Sequence, residues 1–268
     1  MVPATDKHYT AAIIERRDFS EDLWLIRVDP GGPFQFKAGQ YATLGVDHGD
    51  QRIERAYSIA SSPYEEALEF FIELVPQGAL APHLYKLQKG DTMLCRKIPK
   101  GRFTLDLKSG RTHHLLLATV TGIAPFVSYV RTLYKDWKNG GNPMPGNHKL
   151  YCLQGGSRSW EFGYREELER FAAEVPWFKY VATISRPWED AAWKGETAAS
   201  TIWSESTPNS GAQGLRRRRD TLRASEHVRK RARHLAACWL AEGLHVRGGL
   251  LHTRERGSSR VGWLKFAS

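Results

Sequence analysis

Cysteine is scarce in this sequence, with Cys95, Cys152 and Cys238 as the only three in 268 residues. No two of them form a CxxC pair, which argues against a zinc site or a disulfide framework and favours a reducing compartment. No apolar run is long enough to cross a membrane, and the first ten residues contain no apolar signal segment. We therefore expect a cytoplasmic protein without a metal site or a membrane partner.

The first 197 residues carry almost no net charge, although the chain as a whole is strongly basic. Of the 39 Lys and Arg, 14 lie at residues 198–268, where Asp and Glu number five. The first 197 residues hold 25 basic and 24 acidic side chains, and they contain all ten tyrosines. Of the net charge of +10, the last 71 residues therefore carry +9 and the first 197 only +1, so the composition of the two parts differs.

The pattern of apolar residues changes near Lys108–Arg111. Before it, segments such as "LWLIRV", "QYATLGV" and "LEFFIELV" alternate with Gly- and Pro-containing turns, which predicts an antiparallel barrel or sandwich. One short helix, "GALAPHLYKLQ", interrupts these strands. After the change, strands such as "HHLLLATV" and "FKYVATIS" alternate with helices such as "YREELERFAAEV", which predicts a parallel, doubly wound sheet.

The segment "RAYSIASSP", residues 55–63, is the first candidate for a binding site. On a strand, Arg55, Tyr57 and Ile59 share one face because side chains alternate. A guanidinium and a phenol on one face suit a ligand that combines a phosphate with a flat ring. A surface arginine beside a packed tyrosine on an edge strand would give the same pattern.

Two further segments could hold an anion. In "QGALAPHL", residues 77–84, a Gly precedes a helix start, where backbone N–H groups and the helix dipole favour negative charge. In "LLLATVTGIAPF", residues 115–126, a buried strand runs through a short turn into a helix with Pro125 in its first turn. Many helices start after a Gly, and an ordinary strand-to-helix turn would explain the second segment.

Taken together, these segments resemble the ferredoxin–NADP reductase family, especially its bacterial type. "RAYSIASSP" is similar to the flavin motif R-x-Y-S, "GALAPHL" to the flavin-diphosphate helix, and "ATVTGIAPF" to the nicotinamide motif. The resemblance covers residues 8–197. It implies an antiparallel β-barrel FAD domain at 8–110, followed by an α/β doubly wound NADP-binding domain at 111–197 that is incomplete in this chain.

The resemblance also implies roles for individual residues. Arg55 would bind the FAD pyrophosphate, Tyr57 would lie against the isoalloxazine with Ile59 beside it, and Ser58 would approach flavin N5. Tyr57 and Ser58 are thus the candidate catalytic residues. The remaining candidates would contact the two dinucleotides: Gly78, Leu80 and Ala81 for the FAD diphosphate, Thr121 and Gly122 beneath the nicotinamide dinucleotide, and Arg158, Ser185 and Arg186 for the 2′-phosphate of NADP.

Two positions depart from the family pattern. Val120 stands where the family usually has Gly, and its side chain could crowd the pyrophosphate. Ala81 stands where a Ser or Thr often donates to the flavin phosphate, which leaves only the backbone amide. Arg165 in "YREEL" is a further basic residue that could contact the 2′-phosphate. Structural salt bridges to the nearby Glu residues are the alternative explanation for its charge.

The family pattern ends after "WKGET", residues 193–197, and residues 198–268 form a basic tail. We predict that this tail is a frameshifted version of the family's usual C-terminus. Read one base later with GC-rich codons, "LRASEH" gives Cys-Gly-His-Pro-Asn-Met, and "LAACWLAEGLHVRGGLLHT" gives a helix followed by E-E-A-Y-F-T. An evolved nucleic-acid-binding tail is the competing interpretation, which the missing fold signature and missing interleaved aromatics disfavour.

The resemblance implies an enzyme that transfers electrons between NADPH and ferredoxin or flavodoxin through FAD. The same scaffold also serves as the reductase component of oxygenases and as flavin reductases. From a different class, a non-catalytic protein that binds nucleic acid through the basic tail would account for the charge.

Overall fold

The computed structural model describes residues 7–108, 112–197 and the backbone of 266–267. Its first sheet contains β1 (His8–Asp18), β2 (Leu23–Asp29), β3 (Tyr41–His48), β4 (Gln51–Ser58), β5 (Leu68–Glu73) and β6 (Thr92–Arg96), with helix α1 (Ala81–Lys86) between the last two. Its second sheet contains β7 (His113–Thr119), β8 (Lys149–Gly156), β9 (Phe178–Ile184), β10 (Glu196–Thr197) and β11 (Phe266–Ala267). Helices α2 (Ala124–Lys138) and α3 (Arg165–Glu174) follow β7 and β8.

The first sheet is antiparallel, in the order β4-β3-β6-β1-β2-β5. Its two edge strands, β4 and β5, approach each other, and the Ala60 N–H just after β4 donates to the Glu69 carbonyl on β5 over 2.8 Å. The sheet therefore curls toward a barrel, which confirms the antiparallel β-barrel predicted for the first half of the chain.

The second sheet is parallel, in the order β10-β9-β8-β7-β11. Its strands alternate with α2 and α3, which confirms the predicted α/β architecture. Because parallel strands end at the same edge, the loops after β7, β8 and β9 gather there, where ligands of open α/β sheets usually bind. We call this edge the carboxyl edge.

Strands β2 and β5 are buried on both faces, which explains their nearly continuous apolar sequences. Trp24 and Ile26 of β2 point into the barrel core, whereas Leu25 packs with Phe126 and Tyr164 of the second half. A strand that is covered on both sides cannot show the alternation of apolar and polar residues typical of a half-buried strand. The two sheets therefore share a hydrophobic core, and the contact between them is the domain interface.

Some predictions fall wholly or partly on residues that the structure does not describe. The boundary near Lys108–Arg111 includes residues 109–111, and the frameshifted tail occupies 198–268, of which the structure describes only the backbone of β11. The exact domain limits and the frameshift therefore stay predictions. Within the described ranges, the helices lack the length and apolar character needed to span a membrane.

Candidate functional site

Arg55 and Tyr57 lie on the same face of β4, as their spacing predicts. The strand register places them opposite Leu44 and Ala42 of β3, whose side chains are fully buried in the barrel. Tyr57 is half-buried and packs in that core, whereas Arg55 is exposed. The pair therefore joins the barrel interior to solvent, with an aromatic ring on the inner side and a cation on the outer side.

The electrostatics of this pair fit a ligand with a ring and a phosphate. Burial raises the pKa of the Tyr57 phenol, and the positive charge of Arg55 acts in the opposite direction. Nη1 of Arg55 donates to the Glu54 carbonyl over 2.7 Å. Because a guanidinium carries five N–H donors, this bond leaves others to hold an anion.

Ser58 and Ile59 follow at the end of β4 in different surroundings. Ser58 is half-buried and pairs with Tyr41 of β3. Ile59 is fully buried, and its N–H donates to the Gln40 carbonyl over 3.1 Å. The geometry thus leaves the Ser58 hydroxyl as a candidate ligand contact, whereas the Ile59 side chain supports the core beneath Tyr57.

Helix α1 packs against the same core as Tyr57. Leu80, just before the helix, and Leu84 within it are both 1% exposed and lie in the cluster that contains Tyr57. The predicted diphosphate segment and the predicted flavin strand are therefore neighbours in the fold. They are brought together although about 20 residues separate them in sequence.

The start of α1 offers few backbone donors. The amides of His83 and Leu84 already donate to the Leu80 carbonyl, over 2.9 and 3.1 Å, and Pro82 has no N–H. The Gly78 N–H donates to Val75 over 2.8 Å, and a Cβ at Gly78 would lie 3.0 Å from that Val75 carbonyl oxygen. These bonds leave the amides of residues 79–81 as the candidate phosphate donors, including that of Ala81.

The first turn of the second sheet is tighter than the sequence predicts. Residues Val120–Ile123 form a 3₁₀ turn between β7 and α2, with Gly122 buried and Thr121 half-buried. Val120 has a φ of 38°, in the left-handed region that β-branched residues avoid. The departure from Gly noted at this position is therefore also a site of backbone strain.

A hydrogen bond connects the predicted flavin motif to helix α2, which follows the predicted nicotinamide turn. The Ser128 hydroxyl of α2 donates to the Ser61 carbonyl over 2.7 Å, and both residues are fully buried. Ser61 lies three residues after Ser58, and Ser128 lies six residues after Gly122. The structure thus brings the flavin motif of the first sheet and the nicotinamide turn of the second to one side of the interface.

The predicted 2′-phosphate residues meet at the carboxyl edge. The Ser185 and Arg186 amides, after β9, donate to the Gly156 and Ser157 carbonyls, after β8, over 2.9 and 3.0 Å. Nε of Arg158 donates to Oε2 of Glu189 over 2.8 Å. The two loops are therefore tied together, and a carboxylate contacts one of the predicted arginines.

Among the residues that the structure describes, the most buried ion-pair network lies at the domain interface and includes no predicted site residue. Arg131 of α2 bonds Glu69 of β5 over 2.8 Å and Glu167 of α3 through two further 2.8 Å bonds. The Tyr164 hydroxyl also donates to Glu69 over 2.9 Å. Burial raises the pKa of the Glu69 carboxyl, although the Arg131 charge opposes this. These bonds fix the two halves relative to each other.

Sequence reasoning missed this network and also Glu189. Glu69 and Arg131 lie 62 residues apart in sequence, Glu69 on a nearly continuous apolar strand and Arg131 on an amphipathic helix. The available signal for Glu69 was a charge on a strand whose neighbours are all apolar. Within the described ranges, the structure shows no cluster of three or more His, Cys, Asp or Glu arranged for a metal ion.

Two family models match the chain. The model described as "Oxidoreductase FAD-binding domain" matches residues 10–105, and the one described as "Oxidoreductase NAD-binding domain" matches residues 116–204. The fold and the matches thus define a two-part flavin- and nicotinamide-dependent oxidoreductase. The chain therefore combines the FAD-binding and NAD-binding domains of oxidoreductases, and the relatives that it resembles include bacterial ferredoxin–NADP reductases.

Individual relatives support this assignment. The "Ferredoxin--NADP reductase" of Pseudomonas aeruginosa is 35% identical over 123 residues, which cover 46% of this chain and 48% of that protein. The "Toluate 1,2-dioxygenase electron transfer component" of Pseudomonas putida is 30% identical over 181 residues, 67% of this chain and 50% of that protein. The chain spans about half the length of the curated relatives it matches.

A solved structure shows the same fold. The ferredoxin NADP+ reductase from Neisseria gonorrhoeae with bound FAD and NADP superposes with a TM-score of 0.59 at 25% identity. The match covers 67% of this chain and 69% of that one.

Proposed function

We propose that this protein transfers electrons between NADPH and a one-electron carrier protein, ferredoxin or flavodoxin, through FAD. The observation that supports this most directly is the shared face of Arg55 and Tyr57, which adjoins the start of α1. FAD supplies the redox chemistry, since a flavin accepts electrons in pairs and releases them singly. The remaining tasks are binding, alignment and exclusion of water.

The named residues divide these tasks. Arg55 holds the pyrophosphate as a charge-assisted donor, and Tyr57 offers its half-buried ring to the isoalloxazine. The Ser58 hydroxyl stands at the end of the same strand, where it can hydrogen-bond the reactive edge of the ring. Thr121 and Gly122 support the nicotinamide dinucleotide, while Arg158, Ser185 and Arg186 hold its 2′-phosphate.

The interface provides the alignment. The buried bond from Ser128 to Ser61 and the network around Arg131 hold the nicotinamide turn against the flavin barrel. Hydride transfer needs the two rings within contact distance, so a fixed interface favours the reactive geometry. Cys95 and Cys152 are buried free thiols, which suits the cytoplasmic location that the sequence predicts.

FAD binding by the full chain tests this proposal first. The protein should bind FAD with visible flavin absorption that NADPH bleaches faster than NADH. Replacing Arg55 by Gln should weaken FAD binding about tenfold or more, since a hydrogen bond to a charged group contributes about 1.5–3 kcal/mol. A protein that takes up no FAD, or an R55Q variant that binds it as well as the parent, would refute the proposal.

Arg52 provides a matched control on the same strand. It has the same side chain, but its position places it on the opposite face of β4, where it pairs with Asp47 over 2.8 Å. R52Q should therefore leave FAD affinity unchanged. An equal loss of FAD affinity in R52Q and R55Q would indicate damage to strand β4 and not the loss of a phosphate contact.

A second function, as the reductase component of an oxygenase, is favoured by the relative from Pseudomonas putida. That match covers 67% of this chain, compared with 46% for the ferredoxin–NADP reductase of Pseudomonas aeruginosa. The two functions differ in the electron acceptor. Reduction rates with ferredoxin, flavodoxin and an oxygenase component, measured side by side, distinguish them.

A further inference from the structure

We infer that Glu189 is a specificity-determining residue at the carboxyl edge, where its carboxylate occupies the space between Arg158 and Arg186 and competes with a 2′-phosphate. This inference rests on the proposed NADPH function. It adds that the chain carries its own anion in the phosphate site, which narrows its preference for NADPH over NADH.

The geometry shows one carboxylate that bridges two guanidinium groups. Oε2 of Glu189 accepts a 2.8 Å bond from Nε of Arg158 and a second bond from Nη2 of the same side chain. Oε1 of Glu189 lies 3.6 Å from Nη1 of Arg186. Each oxygen of the carboxylate therefore faces a different arginine, which is the arrangement that a phosphate would need.

The neighbouring carboxylates have a different task. Oε2 of Glu161 accepts a 2.6 Å bond from the Ser157 amide, while its Oε1 lies 3.6 Å from Nη1 of Arg158, and Asp190 accepts a 2.9 Å bond from the Ser159 amide. The bonds from Ser159 lower the pKa of the Asp190 carboxyl. These two groups therefore stabilise the backbone of the loop after β8. The Glu189 carboxylate, in contrast, contacts two guanidinium groups, those of Arg158 and Arg186.

The exposure of the cluster allows an exchange of anions. The Arg158 side chain is 30% exposed and the Glu189 side chain 35% exposed. An ion pair this accessible to water stabilises the protein by less than about 1 kcal/mol, so a ligand can displace the carboxylate at small cost. A phosphate carries up to about two negative charges and three acceptor oxygens, and it is therefore the stronger partner for two arginines.

The two nicotinamide cofactors meet this carboxylate differently. A 2′-phosphate must displace Glu189 or bind beside its negative charge. A free ribose 2′-hydroxyl can instead donate a hydrogen bond to a carboxylate, which is the usual contact in NAD-binding sites. Glu189 therefore weakens binding of the phosphate and can bind the hydroxyl. Both effects make the preference for NADPH over NADH smaller.

Calorimetric titration of the full chain with 2′-phospho-AMP and with AMP tests the inference without any catalytic readout. Replacing Glu189 by Gln removes the competing charge and keeps the shape. We expect the ratio of the AMP to the 2′-phospho-AMP dissociation constant to increase about tenfold, mainly through tighter binding of 2′-phospho-AMP. E189S, which removes the carboxylate altogether, should change the ratio in the same direction.

Glu169 supplies the control. It forms a comparable exposed ion pair with Arg165, 2.7 Å long and one helical turn away on α3. E169Q should leave the ratio unchanged. An unchanged ratio in E189Q and E189S, or an equal change in E169Q, overturns the inference.

The same titration separates this inference from the proposed function. If the parent protein prefers 2′-phospho-AMP and E189Q keeps that preference unaltered, the inference alone fails. If no variant binds either nucleotide, the nicotinamide part of the proposed function fails and the inference fails with it.

Discussion

Arginine and carboxylate side chains meet at the domain interface and again at the carboxyl edge, in very different surroundings. Arg131 at the interface is 16% exposed, and its partner Glu69 is 6% exposed. At the carboxyl edge, Arg158 and Glu189 are each about a third exposed. The same chemical pairing is therefore closed to solvent in one place and open to it in the other.

This difference in burial separates a structural role from a binding role. A buried charge that loses its partner has no water to replace it, so the group around Arg131 must stay intact. An exposed pair exchanges its partner for water or for a ligand at little cost. The carboxyl edge also contains Val120, whose backbone is in the left-handed region directly after β7. Local strain of this kind gathers at functional sites.

Breaking the interface cluster should have the largest effect. Replacing Arg131 by Met leaves Glu69 and Glu167 without their shared cation and should lower the free energy of unfolding by about 3–5 kcal/mol. Chemical denaturation measures this loss. Arg165, which forms an exposed pair with Glu169, is the control, and R165M should cost less than about 1 kcal/mol. Similar losses of unfolding free energy in R131M and R165M would show that burial does not determine how much an ion pair stabilises this protein.

The barrel contains an ion pair of Glu54 whose exposure lies between that of the interface cluster and that of the carboxyl-edge cluster. Glu54 is 18% exposed. It accepts bonds from Arg96 over 2.8 Å and from His8 over 2.6 Å. The hydrogen bonds from Arg96, above all, lower the pKa of Glu54 from 4.5 to about 2. Because the folded-state pKa lies below the unfolded value, the ionised carboxylate stabilises the fold above pH 4.5, and this contribution disappears as the pH falls toward 2.

We therefore expect E54Q to lower the free energy of unfolding by about 1–2 kcal/mol at neutral pH, after allowance for solvent screening. The difference from the parent protein should shrink between pH 4.5 and pH 2, as denaturation curves across that range would show. The exposed Glu66 is the control for the substitution itself, because E66Q should change the free energy of unfolding by less than about 0.5 kcal/mol at neutral pH. A constant difference across the range would contradict the assigned ion pair.

Relieving the strain at Val120 should have a smaller effect, of opposite sign. Glycine adopts the left-handed conformation freely, so V120G should raise the free energy of unfolding by about 0.5–1 kcal/mol after its greater unfolded-state entropy is counted. V120A loses a similar part of the side chain but keeps the strain, and it should be neutral or destabilising. Thermal melts of V120G and V120A measure this difference in stability. Equal shifts of the melting temperature would show that the left-handed backbone at residue 120 does not destabilise the protein.

Removing the Glu189 charge from the exposed cluster at the carboxyl edge should have the smallest effect on stability. E189Q is expected to alter the free energy of unfolding by less than about 0.5 kcal/mol, while its effect on 2′-phospho-AMP binding is large. Denaturation of E189Q beside R131M compares the two clusters in one experiment. A stability loss in E189Q close to that of R131M would remove the distinction between a structural and an exchangeable ion pair.

The barrel, the parallel sheet and most of the local motifs could be predicted because their signals are local. "RAYSIASSP" places Arg55 and Tyr57 on one face by the geometry of a strand alone. The alternation after residue 111 likewise predicts the parallel sheet. The unusual backbone at Val120 had a sequence signal too, since it stands where the family has Gly.

The interface cluster could not be predicted, because its members come from separate elements. Glu69 belongs to β5, Arg131 to α2 and Glu167 to α3, and only the packing of the two sheets brings them together. Glu189 was hidden for a different reason. In "SRPWED" it reads as an ordinary surface carboxylate, and its position between Arg158 and Arg186 depends on how the loops after β8 and β9 meet.

The bond between Ser128 and Ser61 gives the molecule a short mechanical path between its two halves. Counted along the backbone from Ser58 to Ser61, across that bond and back from Ser128 to Gly122, nine residue steps join the end of the flavin strand to the nicotinamide turn. A change in the position of α2 relative to the barrel would therefore act on the end of β4 through this bond. Replacing Ser128 by Ala, which removes this buried hydroxyl, should therefore change the distance between the predicted flavin and nicotinamide sites.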